Sequence, residues 1–370
     1  MDPESLEHVR KMINEFYNFA QFTPTKAREY EDDDSAFIDK GNHAQFTFEC
    51  MLGLGAGYQS VDSGQPWIPY WLTTAQHILD QPIDELPKSI LSKIIKYLRL
   101  LHNEVEGGFR GAKSFCSHIA SSYAGVLAIV NIGSEEAYKV IDPVLMRKFL
   151  KSMFNNGTTL EQENTEISSS KLFVAEPGSY IMHENGEYDL RGWYCALVVA
   201  DILGLLPDED LTRGMGDLIQ KCQTYEGGIA CSPYGEAHAG YTYWGLAWMI
   251  LLDQTDKLNM DRLIEWATAR QLEIEGGFNG RINKLVDSWY NFWIGATIEM
   301  IDIVLKGEGN VNNGEWLCNQ LALQGYTLFW WQSSHGGLKD KPGKHIDIYH
   351  TMYSLAGLSI AQHKRYEINF

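Results

Sequence analysis

Four times the chain sets a pair of glycines before an apolar residue: Glu106-Gly107-Gly108-Phe109, Glu226-Gly227-Gly228-Ile229, Glu275-Gly276-Gly277-Phe278 and His335-Gly336-Gly337-Leu338. The last three copies are spaced 49 and 60 residues apart, and a degenerate copy, Pro177-Gly178-Ser179-Tyr180, lies 49 residues before the second. A period of that length has room for two helices and their turns. The segments Ile90 to Leu101, Met146 to Phe154, Gly214 to Cys222 and Met260 to Arg270 carry apolar residues at three- and four-residue spacing. A glycine then stops each one.

Some fourteen residues beyond each stop, a second helix is expected to begin with an aromatic residue: Tyr123, Tyr194, Tyr241, Tyr290 and Tyr349. An open stack of such hairpins exposes its two ends, whereas a closed one buries them. The expected fold is therefore all-α, an α/α toroid (a double-layered helical barrel) with the second helices inside and their aromatic starts around one mouth. The aromatic starts alone equally suit plain core packing.

Composition narrows the function. With 370 residues, 45% of them apolar, the chain can build a large core. Acidic residues outnumber basic ones by 48 to 30, a net charge of −18, so neither general nucleic-acid binding nor a polybasic membrane anchor is expected. No apolar run approaches the roughly 20 residues of a membrane helix, and the start, Met1-Asp2-Pro3-Glu4, lacks the blocks of a signal peptide. Six scattered cysteines (Cys50, Cys116, Cys195, Cys222, Cys231, Cys318) without C-x-x-C spacing read as free thiols of a reducing compartment. A cytoplasmic protein without stable membrane insertion is expected, and the Asn156-Gly157-Thr158 sequon is then chance. Residues 1–40, with the acidic run Glu29 to Asp34, read as an N-terminal arm. Residues 41–370 read as one domain, in which 155–174 form a polar surface insertion.

Cations gather in three places in this acidic chain: Glu236-Ala237-His238-Ala239-Gly240-Tyr241, Gly280-Arg281-Ile282-Asn283-Lys284-Leu285-Val286-Asp287, and Asp340-Lys341-Pro342-Gly343-Lys344 leading to Tyr349-His350. His238, Arg281, Lys284, Lys344 and the Tyr290 hydroxyl have the chemistry to surround a diphosphate and stabilise its charge as a leaving group. Spacing alone equally allows surface salt bridges.

From about Phe46 to Gln362 the chain resembles the β subunits of protein prenyltransferases, and the farnesyltransferase pattern in particular. The resemblance rests on Pro66-Trp67-Ile68-Pro69-Tyr70-Trp71, Glu236-Ala237-His238-Ala239-Gly240-Tyr241-Thr242, Asn283-Lys284-Leu285-Val286-Asp287, Asp340-Lys341-Pro342-Gly343-Lys344 and Tyr349-His350-Thr351. It implies an aromatic funnel holding farnesyl diphosphate, with Arg191, Tyr194, Tyr241 and Trp293 along the lipid. It further implies that His238, Arg281, Lys284, Tyr290 and Lys344 bind the diphosphate and that Asp340 holds magnesium there. Trp67, Trp71 and Tyr349 are expected to contact the aliphatic residues of a C-terminal CaaX sequence, with His118 and Ala120 near its last residue. Trp67 and Tyr353 match the pair that excludes a longer, geranylgeranyl lipid. Trp244 stands where the family carries a smaller residue, which reshapes that pocket. By the same resemblance the partner is a helical-repeat α subunit in a heterodimer, and the acceptors are CaaX-ended proteins such as Ras-like GTPases.

One position breaks the pattern. The family holds a catalytic zinc through an Asp, a Cys two residues on and a distant His. Here Asp287 and His350 are present, but the middle position is Trp289. Indole is no zinc ligand, so the set is incomplete. Zinc held weakly, Cys231 as substitute ligand, thiol activation without zinc (by Lys284 or Arg281, or by His350 as general base) and loss of catalysis all remain open. The leading expectation is an active enzyme with reduced or no zinc dependence, using Asp287, His350, Tyr290 and Lys344. Geranylgeranyl transfer and a catalytically silent prenyl- or CaaX-binding regulator are the alternatives. A terpene cyclase is disfavoured, because Glu31-Asp32-Asp33-Asp34 fits neither acidic motif of those enzymes.

Overall fold

A computed structural model describes residues 37–155, 176–206, 208–307, 316–341 and 343–363. All but four residues of the expected arm, and all of the expected insertion except Asn155, lie outside them. Among the described residues, twelve helices of eight residues or more follow one another: α1 (Lys40–Leu52), α2 (Trp67–Ile78), α3 (Lys88–Leu101), α4 (Ile119–Ile132), α5 (Pro143–Met153), α6 (Leu190–Ile202), α7 (Met215–Cys222), α8 (Ala239–Leu251), α9 (Met260–Thr268), α10 (Tyr290–Gly307), α11 (Gln320–Trp330) and α12 (Ile348–Gln362). Two short antiparallel pairs accompany them. β1 (Phe154–Asn155) runs against β2 (Ser179–Tyr180), and β3 (Leu338–Lys339) against β4 (Ile346–Asp347), with Leu338 opposite Asp347.

The helices before the glycines and those after them differ as the sequence pattern requires. In α3 the buried residues Ile90, Ile95, Leu98 and Leu101 form one stripe, and lysines occupy much of the remainder. In α4 ten of the fourteen residues from Ile119 to Ile132 are buried, including Ser121 and Ser122. A helix buried on most faces has neighbours on most sides: α4 packs against α2 and α6, and α6 against α8, within the unit Cys50–Asn259. A second unit, the described residues of Met1–Glu49 and Met260–Phe370, packs α10 against α12, α12 against α11 and α9 against α10.

The first glycine of each pair has a structural duty. Gly107, Gly178, Gly276 and Gly336 all have φ between +75° and +85°. A Cβ on Gly107 would lie 2.4 Å from the Leu145 carbonyl oxygen in α5, on Gly276 2.8 Å from that of Ala322 in α11, and on Gly336 2.0 Å from that of Asn42 in α1. The turns at Gly107 and Gly276 thus admit the backbone of a later helix, and that at Gly336 admits α1.

The apolar residue after each pair is anchored by a device of constant spacing. The amide of Phe109 donates to Ser122 Oγ (2.8 Å), that of Ile229 to Thr242 Oγ1 (2.9 Å) and that of Leu338 to Thr351 Oγ1 (2.9 Å), each across thirteen residues. The Phe109 ring fills the space a Cβ on Gly125 would need, as Ile229 does beside Gly245. A glutamine ahead of the turn makes a second clamp. Gln271 accepts from the Asn319 amide (2.8 Å) and donates to its carbonyl (2.7 Å), Gln223 treats Asn259 the same way, and Gln332 accepts from the Asp39 amide (2.9 Å) and donates to the Phe37 carbonyl (3.2 Å).

Gly336→Ala combines a left-handed backbone with a steric clash and is expected to cost about 3 kcal/mol or more of unfolding free energy. Gly204, at φ 66° with open space around its Cβ position, isolates the backbone term, and Gly204→Ala is expected to cost only about 1 kcal/mol. Urea unfolding of the two variants measures the difference, and equal losses would refute the close-passage argument.

Candidate functional site

The candidate residues sit where the second helices begin. The N-cap of α4 is His118, of α6 Asp189, of α8 His238 and of α12 Asp347. Just ahead of α10, Asp287 Oδ1 accepts from the Trp289 amide at 3.1 Å. Each of these five lies eleven residues after the first glycine of its repeat. The capping side chains satisfy amides that the helix cannot, which is why polar groups recur at this place. His118 and His238 both accept through Nδ1, from Ala120 and Gly240, at 3.1 Å.

Within the unit Cys50–Asn259 the expected aromatic residues form a continuous row. Ring centroids lie 5.7 Å apart for Trp71 and Trp67, 5.6 Å for Trp67 and Tyr123, 5.7 Å for Tyr123 and Tyr194, 6.0 Å for Tyr194 and Trp244, 5.4 Å for Trp244 and Tyr241, and 5.5 Å for Tyr241 and His238. Burial pushes the Tyr70 phenol, hydrogen-bonded to Tyr123, up to about 12. Tyr194 is raised further by the same cause, so these hydroxyls stay neutral. The Arg191 guanidinium does not extend freely. Asp189 clamps it through Nε (3.0 and 3.1 Å) and Nη2 (2.7 Å), which neutralises much of its charge.

A cavity of about 400 Å³ in the same unit is lined by Ser63, Gly111, Phe115, Cys116, His118 and His183. The His118 and His183 rings are 5.6 Å apart. Burial above all, then the neighbouring His183 and Arg191, lowers His118 to about 4.

In the other unit a polar cluster gathers around the start of α10. Ser288 ties the β3–β4 hairpin to it: its amide donates to the Asp340 carbonyl (3.1 Å) and its hydroxyl to the Lys339 carbonyl (2.7 Å). Asp340 is thereby brought to Asp287 and His350, and one ligand-type atom from each of the three lies within 4.8 Å of the others. Asp287 and His350, expected in a zinc site, and Asp340, expected in a magnesium site, thus lie in a single group. Lys341 joins it, ion-paired with Asp340 and 3.5 Å from Asp287 Oδ2. His350 donates through Nδ1 to Asp347 Oδ2 (2.6 Å), and its Nε2 lies 3.6 Å from Asp287 Oδ1. Burial pulls His350 down, but the Asp347 hydrogen bond and the charges of Asp347, Asp287 and Asp340 outweigh it and leave the imidazole raised. Asp287 is raised, first by burial and then by Asp340, against the pull of Lys341 and His350.

The Trp289 ring sits in an aromatic shell, Tyr290 at 5.0 Å, Tyr349 at 5.4 Å, Trp293 at 5.7 Å and Tyr353 at 5.9 Å, and its side chain hydrogen-bonds that of Tyr290. The ligand group contains no cysteine among the described residues. A soft, thiolate-bearing zinc set therefore does not fit these residues; the donors present are two hard carboxylates and one imidazole. Tyr290 lies against Gly280, where a Cβ would collide with its ring, and the Arg281 charge acts on its hydroxyl, which burial holds up at about 12. Lys284 and Lys344 are exposed. Sequence reasoning missed Lys341, Asp347, Asp189 and His183. The eleven-residue spacing from each glycine carried the signal for both aspartates.

No helix among the described residues is long and apolar enough to cross a membrane. Residues 38–369 match the family model of the prenyltransferase alpha-alpha toroid domain. The chain is 32% identical to protein farnesyltransferase subunit beta of Arabidopsis thaliana, over 94% of this chain and 77% of that one. It is 35% identical to the subunit of the same name from Schizosaccharomyces pombe, over 88% and 78%. Geranylgeranyl transferase type-1 subunit beta of Arabidopsis thaliana is less similar, at 27% over 89% and 86%. Among solved structures, Candida albicans protein geranylgeranyltransferase-I complexed with GGPP shares the fold, with a TM-score of 0.70 and 22% identity over 87% of this chain and 91% of that one.

The low value for His118 is open to test by NMR titration of ring-labelled histidines. Its signal is expected to titrate near 4, and a midpoint near the ordinary ~6.5 would contradict the burial argument. The unfolded chain binds this proton between those two values and the folded chain does not, so stability should fall as pH drops from about 6.5 toward 4.

Proposed function

The chain belongs to the protein farnesyltransferase β-subunit family of the prenyltransferase alpha-alpha toroids, and on that footing we propose that it transfers farnesyl from farnesyl diphosphate to the cysteine of a C-terminal CaaX sequence. The observation that carries this reading is, within the unit Cys50–Asn259, an aromatic row suited to an apolar isoprenoid; the unit that holds α10 and α12 adds, at their starts, a compact acid–imidazole cluster. By the family resemblance, Trp67, Arg191, Tyr194, Tyr241, Trp244, Trp293 and Tyr353 are the positions that would contact the lipid. Farnesyl rather than geranylgeranyl transfer is supported by the higher identity to the farnesyltransferase relatives.

In this reading, His238, Arg281, Lys284, Lys344 and the Tyr290 hydroxyl bind the diphosphate, and their charge stabilises it as it leaves. The acceptor sulfur forms a bond to C1 of the farnesyl group while the C1–O bond breaks and its electron pair departs with the diphosphate. The thiol proton goes to Nε2 of His350, which Asp347 orients through Nδ1. A magnesium ion at Asp340 would add positive charge on the diphosphate. No step is assigned to zinc, because the residues present do not form the family's ligand set. His118, Ala120, Trp67, Trp71 and Tyr349 would meet the CaaX residues. Residues 41–370 would form the catalytic domain, residues 1–40 an arm and 155–174 a surface insertion, in a cytoplasmic heterodimer with a prenyltransferase α subunit.

Farnesyl transfer to a CaaX peptide by the chain purified with an α subunit tests the reading, and binding of farnesyl diphosphate without transfer would leave the silent regulator instead. His350→Ala is expected to lower kcat by about 10²- to 10⁴-fold near neutral pH. A thiol that ionises unaided needs no base, so the deficit should shrink as pH rises toward ~8.5. Unchanged transfer at saturating peptide would remove the base assignment.

A further inference from the structure

The cluster of two carboxylates and an imidazole already holds a cation. The ammonium of Lys341 sits between Asp340 and Asp287, paired with one and 3.5 Å from an oxygen of the other, on a side chain only 16% exposed. A lysine so enclosed is rarely found unless paired, and here both acidic members of the ligand group pair with it. The rest of the group is engaged as well. Asp287 turns its other oxygen to the Trp289 amide and to His350 Nε2, and His350 commits Nδ1 to Asp347.

We propose that Lys341 is the resident cation of this site, occupying the ground between Asp287 and Asp340 that a zinc ion held by both would need, so that the chain holds no tightly bound zinc. Two observations carry this independently. The first is the ion pairing itself. The second is Trp289, whose indole is fixed among Tyr290, Tyr349, Trp293 and Tyr353 and leaves the set one soft donor short. Lys341 adjoins Asp340 in the chain, so its effective concentration at the carboxylates is set by the backbone and does not fall on dilution. A metal ion must displace it at every concentration of protein. A Cys at position 289 with the lysine removed would reverse both conditions.

Metal binding tests this without reference to catalysis. The full-length protein, in the complex in which it purifies, is stripped with chelator and titrated with cobalt alone, followed by absorbance, and with zinc alone, followed by calorimetry. Lys341→Met is expected to bind either ion at least about tenfold more tightly than the unaltered chain, with Trp289→Cys in the same background tighter again. Lys341→Arg, which keeps the charge, is expected to stay as weak as the unaltered chain. One zinc per chain retained by the unaltered protein after dialysis against chelator would overturn the proposal, as would a Lys341→Met variant that binds no more tightly. The zinc content of the unaltered protein decides the matter even if a variant misfolds. A metal-free chain that behaves as expected here yet transfers no farnesyl would sink the transferase reading and leave the assignment of Lys341 standing.

Discussion

The close passage of one helix backbone over a glycine is the contact on which the rest of the molecule depends. At Gly107, Gly276 and Gly336 a later or earlier helix runs so near that even a methyl group would press into a carbonyl oxygen. That proximity lets a glutamine reach across to the next amide and carbonyl, and it fixes where the chain turns back. From each turn the same count of residues leads to the cap of the following helix. The polar groups of the site are therefore positioned by a backbone constraint some distance away, and their own mutual contacts refine that placement.

Much of this was legible in the chain. The period of the glycine pairs, the amphipathic helices before them and the aromatic starts after them all appear in the structure within a few residues of the expected bounds, as in α3 and α9. Helical periodicity survives in sequence because it arises from neighbours three and four apart. Tyr123, Tyr194 and Tyr241 stood out in the sequence as aromatic helix starts, whereas Trp67, Trp71 and Trp244 were singled out only by family resemblance, since ring-to-ring contacts between helices leave no local pattern. The grouping of Asp340 with Asp287 and His350 was not anticipated. It depends on Ser288 stitching a hairpin fifty residues downstream to the start of α10. Lys341 was passed over for a related reason: it stands in the Asp340–Lys344 cation cluster, and the local sequence does not say which of those cations meets the acids of a distant segment.

Trp289 illustrates how one side chain can alter the character of a site without dismantling it. Its ring finds four aromatic neighbours and a half-buried setting, so the substitution adds apolar contact where a small polarisable ligand would have faced the carboxylates. The acids left behind both face the Lys341 ammonium. Charge balance in such an enclosed cluster is a requirement of burial, whatever supplies the positive member.

The clamp of Gln332 on Phe37 and Asp39, and of Gly337 on His43, joins positions 293 to 295 residues apart. During translation the ribosome releases the first helix long before the residues that secure it exist. Helices from the middle of the chain can pair with partners already made, whereas α1 has to wait until almost the last repeat has left the exit tunnel. Premature termination anywhere before Gln332 is therefore a defect felt first at the opposite end of the protein.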